Sequence, residues 1–441
     1  MSSRRLFGAI IGVGAVAIVA FLALAWRPAL APVEPPAPQS FAPDLVAQGR
    51  ILASAGNCVT CHTADGGKPF AGGFPIPTPF GTVFSTNITP DRDSGIGTWS
   101  LPAFTRAMRE GVSRDGKHLF PAFPYDHFAK LTDGDVGALY AYLMTVPAVA
   151  ATPPANTVPF PLDVRALQAG WKMLFFRSEP YRPDAARSAE WNRGAYLAEG
   201  LAHCGACHTP RNVLGAESVG HPYNGAIVDR EWVAWPLDVS VSPARWTRDD
   251  FVTYLTGGTT VHGRAHGPMG PVVHGLKALP DADIAAIADY FASLNRPQSS
   301  KADALVRQVL ARSRAIATDV REPGRQHYLA ACAGCHDDGG TTPLATRAVL
   351  SLNTALWYDR PNNFVLTVLN GVGTSDDAPG PLMPPFRDAL TDTEIVAIAG
   401  YLRGVRLHLP NWPASEYNKV DRLRDHPLAD DVVKIRKLPA E

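Results

Sequence analysis

The apolar residues of this chain form one long block at the start and, behind it, three recurring sets of helically spaced positions. The block runs from Leu6 to Trp26 without a charge, between Arg4-Arg5 and Arg27-Pro28. A helix across a bilayer needs about 20 apolar residues, and a secretory signal usually has only about 7–15. Residues 1–31 are therefore expected to be an uncleaved transmembrane helix with its flanks, although Ala29-Leu30-Ala31 offers the small residues of a cleavage site. Arg4 and Arg5 would stay on the inner side of a bacterial cytoplasmic membrane and leave the rest of the chain facing the periplasm. Residues 32–42 are proline-rich and should act as a semi-rigid spacer.

Each recurring set has the same three parts. Opening helices are expected around Gly49, Ile51 and Leu52, around Gly194, Tyr196 and Leu197, and from Gly324 to Leu329. A middle helix is marked by Trp99 and Phe104, by Trp246 and Phe251, and by Trp357 and Phe364. Closing helices start at Leu131-Thr132-Asp133, Leu279-Pro280-Asp281 and Leu390-Thr391-Asp392, where a capping residue or a proline precedes acidic side chains. Apolar residues follow at helical spacing, as in Val136, Leu139, Tyr140 and Leu143, or Ile284, Ile287, Tyr290 and Phe291. Few alternating runs are long enough to read as strands.

What recurs chemically is Cys-x-x-Cys-His. It occurs as Cys58, Cys61 and His62, as Cys204, Cys207 and His208, and as Cys332, Cys335 and His336, and it uses all six cysteines of the chain. Two thiols at that spacing bond the vinyl groups of one porphyrin, and the following histidine becomes the proximal ligand of the iron. A zinc knuckle would need a second ligand pair at suitable spacing, and a redox dithiol would need a βαβ pattern around it. Neither is present, so three covalently bound haem c groups are expected. With no cysteine left for disulfides, the porphyrins themselves would cross-link and fill each small core. The balance of 41 basic and 41 acidic residues gives no argument for nucleic acid as a partner.

A second axial ligand is expected on each iron. Met269, in Gly267-Pro268-Met269-Gly270, and Met383, in Pro381-Leu382-Met383-Pro384, precede their closing helices by similar distances and lie in loops whose backbone can approach a haem face. The first set departs from this pattern, because Phe123 in Phe120-Pro121-Ala122-Phe123-Pro124-Tyr125 fills the corresponding slot. Met108 maps to Leu255 and Val368 and reads as core, and Met144 lies at the far end of the closing helix, where Ala292 and Arg403 stand in the other sets, so neither is a good ligand. His127 is the preferred substitute, with His118 and an open iron position as alternatives; an open first haem would allow a haem enzyme, a peroxidase or small-molecule reductase.

The pattern as a whole resembles the small all-helical cytochrome c fold, which implies an all-α chain of three tandem cytochrome c-like domains at residues 43–150, 188–298 and 319–408. Between them lie a proline-rich linker, 151–187, and a linker helix, 299–318, with a basic face of Arg307, Arg312 and Arg314; residues 409–441 form a tail. The apolar stretch Leu167 to Phe176 is too short to span a membrane, contains Lys172, and is expected to pack as core across the first junction.

More closely, Asn87-Ile88-Thr89-Pro90-Asp91 with Gly95, Gly97 and Trp99, then Gly111-Val112, Gly116, Pro121 to Tyr125, and Cys204 to Asn212 resemble the three-haem cytochrome c subunits of membrane-bound bacterial alcohol, aldehyde and gluconate dehydrogenases. In that family the first loop usually carries methionine where Phe123 stands. The phenylalanine variant is more similar to cytochromes paired with molybdenum hydroxylases of the nicotinate or isoquinoline type. The resemblance implies an electron carrier with no substrate-oxidising site of its own. A separate dehydrogenase catalytic subunit would feed it, a molybdenum hydroxylase before a pyrroloquinoline quinone or flavin enzyme, and ubiquinone or a terminal oxidase would drain it. A free-standing membrane-tethered shuttle would use the same haems. Arg211 is a candidate partner for a haem propionate, or an ordinary surface arginine.

Overall fold

The computed structural model describes residues 3–228, 231–295, 300–314, 322–336, 350–373 and 383–417. The fold is mostly helical, and by contact density it divides into two compact units. One comprises Met1–Pro183, Glu199–His203 and Val213–Ala216; the other comprises Asp184–Ala198, Cys204–Asn212 and Glu217–Glu441.

Opening and closing helices pair as the repeat requires. In the first unit Pro43–Ala55 lies against Asp133–Leu143; in the second, Ala189–Tyr196 lies against Asp281–Leu294, and Pro323–Ala331 against Asp392–Gly400. Each crossing is made at a glycine. A Cβ on Gly49 would stand 1.9 Å from the carbonyl oxygen of Ala138, one on Gly194 1.9 Å from that of Ala286, and one on Gly324 1.9 Å from that of Ala397. Only a residue without a side chain permits backbones to approach so closely. The closing helices begin as their sequence signals require: Thr132 accepts from the Asp135 amide, and Thr391 and Glu394 form a reciprocal capping box. Pro280 stands one position earlier than a first-turn proline, at the N-cap.

The middle helices are Leu101–Glu110, Arg248–Gly257 and Asn362–Asn370, each burying its phenylalanine, Phe104, Phe251 or Phe364. Trp99, Trp246 and Trp357 lie just ahead of these helices rather than within them. Among the described residues three short antiparallel hairpins add to the helices: Pro75–Thr78 with Gly81–Phe84, Ala226–Val228 with Trp232–Ala234, and Thr259–Thr260 with Gly263–Arg264.

The first linker differs from expectation. Leu167–Phe175 is a helix, yet Met173 and Leu174 are 54% and 69% exposed, while the buried residues are Ala169 and Lys172. The lysine lies inward because its ammonium finds acceptors there: the carbonyls of Glu110 and Gly111 and, 3.1 Å away, His118 Nδ1. Burial lowers its pKa to about 7. This helix is thus largely exposed rather than core; it packs on the helix Ser3–Ala25, where Phe21 lies against Gly170, and it reaches the second repeat through Trp171, whose Nε1 donates to the Leu214 carbonyl at 2.9 Å. In the second linker Ser300–Arg314 is helical, with Val309 buried among third-repeat residues and Arg307 exposed. Residues 299 and 315–318, the Arg314 side chain and the tail beyond Tyr417 lie outside the described residues.

The expected anchor falls on Ser3–Ala25, a single helix many of whose side chains are outside the described set. Among the described residues no helix is long and apolar enough to cross a membrane.

Candidate functional site

Each Cys-x-x-Cys-His motif winds into one helical turn, Cys58–Cys61, Gly205–His208 and Ala333–His336. The histidine amide closes the turn on the first cysteine's carbonyl in all three, at 2.9 Å for His62, 3.0 Å for His208 and 2.9 Å for His336. Residues three apart on such a turn are neighbours, so the paired thiols can meet one flat ligand.

The histidines are prepared for a metal. His62 Nδ1 lies 2.6 Å from the Thr86 carbonyl oxygen and His208 Nδ1 2.6 Å from that of Trp235. A carbonyl can only accept, so Nδ1 carries the proton and Nε2 keeps the lone pair that a metal takes. Burial holds the pKa of both imidazoles below the usual value, against the opposing pull of the carbonyl, and this favours the neutral, ligating form. The first thiol of each motif is pushed the other way from a redox dithiol. Burial, reinforced by the neighbouring thiol, raises Cys58 and Cys204 to about 12 and Cys332 to about 11. Redox-active Cys-x-x-Cys pairs instead have lowered thiol pKa values.

The third motif opens onto a cavity. Cys332, Cys335, His336 and Met383 share its wall with Leu356, Phe364, Val368, Phe386, Ile395 and Leu402. In the surrounding core the hydroxyl of Tyr401, 1% exposed, has no hydrogen-bond partner among the described residues. An apolar cavity with two thiols, an imidazole and a thioether on its wall fits a haem by the chemistry of its donors. Met383 is brought there by the paired backbone bonds it makes with Val372, while Pro381 and Leu382 of its loop lie outside the described residues. Met269 opens the helix Met269–Leu276 and is half-buried. Met108 and Met144 are buried in the first repeat.

Of the two histidines in the first loop, His118 has both ring nitrogens engaged: Nε2 donates to the Ala25 carbonyl at 2.8 Å, and Nδ1 accepts from the Lys172 ammonium. It therefore has no lone pair to offer an iron. His127 is buried on the short helix Tyr125–Phe128, and its Nδ1 donates to the Glu199 carbonyl at 2.7 Å, the arrangement also found at His62 and His208. Phe123 packs on Phe128, with ring centroids 5.3 Å apart. Arg211 bonds the Ala206 carbonyl at 3.0 Å and pairs with Glu217 at 3.7 Å, so it stays beside the second motif.

Sequence reasoning missed the backbone acceptors Thr86 and Trp235, because a carbonyl leaves no signature in residue identity. It also missed Thr259, Arg264 and His266, which belong to the second repeat yet line the third cavity. The nearest signal was His266 standing just ahead of Gly267-Pro268-Met269.

These motifs on a helical frame define a c-type cytochrome. A family model described as cytochrome c matches residues 46–147, and one described as cytochrome c oxidase, cbb3-type, subunit III matches residues 320–402. The chain belongs to the cytochrome c subunits of dehydrogenases. It is 38% identical over 419 residues to the fructose dehydrogenase cytochrome subunit of Gluconobacter japonicus, covering 88% of this chain and 85% of the relative. It is 38% identical over 387 residues to the gluconate 2-dehydrogenase cytochrome c subunit of Pantoea cypripedii, covering 82% and 85%. It is also 45% identical over 408 residues to a subunit of the nicotinate dehydrogenase of Pseudomonas putida; the match takes in 91% of this chain but spans about a third, 34%, of that longer relative. Covalently bound haem c and a part in electron transfer follow from the family.

Proposed function

We propose that this chain holds three haem c groups, one at each motif, in domains at residues 43–150, 188–298 and 319–408, and relays electrons from a dehydrogenase catalytic subunit to ubiquinone or a terminal oxidase. The observation that carries the count is the recurrence beside every motif of the same glycine crossing, at Gly49, Gly194 and Gly324. Met269 and Met383 serve as sixth ligands of the second and third haems. His127 serves the first, a reading supported by the engagement of both nitrogens of His118. A thioether ligand raises the potential relative to an imidazole, so the first haem is the lowest of the three.

The catalytic partner is a molybdenum hydroxylase of the nicotinate type. Phe123 in place of methionine supports this, as does the 45% identity to the nicotinate dehydrogenase subunit. The helix Ser3–Ala25 anchors the chain in the cytoplasmic membrane with the haem domains in the periplasm; its 23 residues and the uncharged run from Leu6 support that placement.

Gentle purification from native membranes through a tag tests the whole reading. A pyridine haemochrome assay is expected to give three haem c per chain, and a co-purifying subunit is expected to carry molybdenum and a pterin. Pyrroloquinoline quinone or flavin in that subunit would move the partner to the alcohol, fructose or gluconate class, and two haems per chain would overturn the count.

A further inference from the structure

We infer that Arg264 and His266, carried by the second repeat, are part of the third haem site and raise that haem's reduction potential, which makes residues 263–269 the crossing between the second and third haems. This rests on the reading that the third motif holds a haem.

The cavity walled by Cys332, Cys335, His336 and Met383 is completed by Thr259, Arg264 and His266. Those three come from the second repeat, which is fastened to the third at several independent points. The Thr354 amide donates to the His262 carbonyl at 3.0 Å. A Cβ on Gly263 would meet the Asn353 side-chain amide at 3.3 Å, so the backbone there lies directly on that residue. His266 is held at both nitrogens, Nδ1 at 2.6 Å from the Arg264 carbonyl oxygen and Nε2 at 2.6 Å from Thr367 Oγ1. Asn363 exchanges two bonds with the backbone of Val233, at 2.8 and 2.9 Å. Trp232, 3% exposed, is built into the third core edge-on to His266, with ring centroids 5.1 Å apart, and its indole N–H has no partner among the described residues.

Arg264 is the single permanently charged residue on the described wall of that cavity. A haem c carries two propionates, and a guanidinium is the side chain best shaped to pair with a carboxylate. A fixed positive charge beside iron in a poorly screened site favours the ferrous state, which bears one positive charge fewer, and so raises the potential. His266 acts through its neighbour: its Nδ1–H holds the Arg264 carbonyl, and its Nε2 pins the segment to the helix Asn362–Asn370. Met269, three residues on, faces the second haem in the reading above, so one short segment serves both sites.

The test is an optical redox titration of the full-length chain, after a haemochrome assay has shown three haems. Met383→His identifies the third component by lowering its midpoint, and Met269→His identifies the second. Arg264→Gln is expected to lower the component that Met383→His marks and leave the other two in place. Arg264→Lys, which keeps the charge, should restore most of the shift, and His266→Phe should lower the same component by less. The inference is overturned if Arg264→Gln moves no component, or moves the one marked by Met269→His. A count of two haems per chain removes the underlying reading instead, and does so before any potential is measured.

Discussion

At the scale of single residues, the histidines of this chain are sorted by what their second nitrogen does. His62 and His208 each commit Nδ1 to a carbonyl, which leaves the ring lone pair on Nε2, whereas His118 commits both nitrogens. His127 also donates Nδ1 to a carbonyl, that of Glu199. If His127 ligates the first iron, the dithionite-reduced protein binds no carbon monoxide and His127→Ala gains one equivalent per chain, read from the Soret difference spectrum. Binding of one equivalent by the unaltered protein would instead favour an open first haem and the enzyme reading. The Cys-x-x-Cys-His motifs were fully legible in the sequence, because a covalent attachment demands fixed residue types at fixed spacing. The elimination of His118 was not, since it depends on a lysine 54 positions away and on a backbone carbonyl.

At the scale of elements, the helices that surround each motif were legible from apolar spacing and from caps such as Thr132 and Thr391. The three glycines were visible as aligned positions, but their physical role emerged only from the crossing geometry. Gly194→Ala would drive a methyl into the Ala286 carbonyl, and overpacking of this kind costs about 1–3 kcal/mol or more. Thermal or denaturant unfolding should show that loss. Unchanged stability would mean the helices can part at no cost. One feature was missed and one reading failed, each for an identifiable reason. Hairpins of two to four residues, such as Thr259–Thr260 with Gly263–Arg264, are too short to carry an alternating pattern. In Leu167–Phe175 the apolar count suggested core, but periodicity cannot reveal that carbonyls are waiting for Lys172, so the leucine faces out and the lysine in.

At the scale of the whole molecule, the membrane placement proposed above rests on the N-terminal helix, because the balanced charge supplies no other argument for it. Deleting residues 3–25 is expected to shift the protein from the membrane pellet to the soluble periplasmic fraction with its haem content intact. Retention in the pellet would point to another attachment, for which the exposed Met173 and Leu174 offer apolar surface. The shared construction around Trp232 also bears on how such chains change by gain and loss of repeats. The strand Trp232–Ala234 belongs to the second repeat by sequence, yet its indole is walled into the core of the third, and its Val233 amide is capped by Asn363. Excising the third repeat would therefore strand an indole in solvent and leave a peptide group without its cap. Although the motif recurs like a cassette, its last two copies are no longer interchangeable parts, and a shorter descendant of this chain would have to rebuild its second domain to survive the cut.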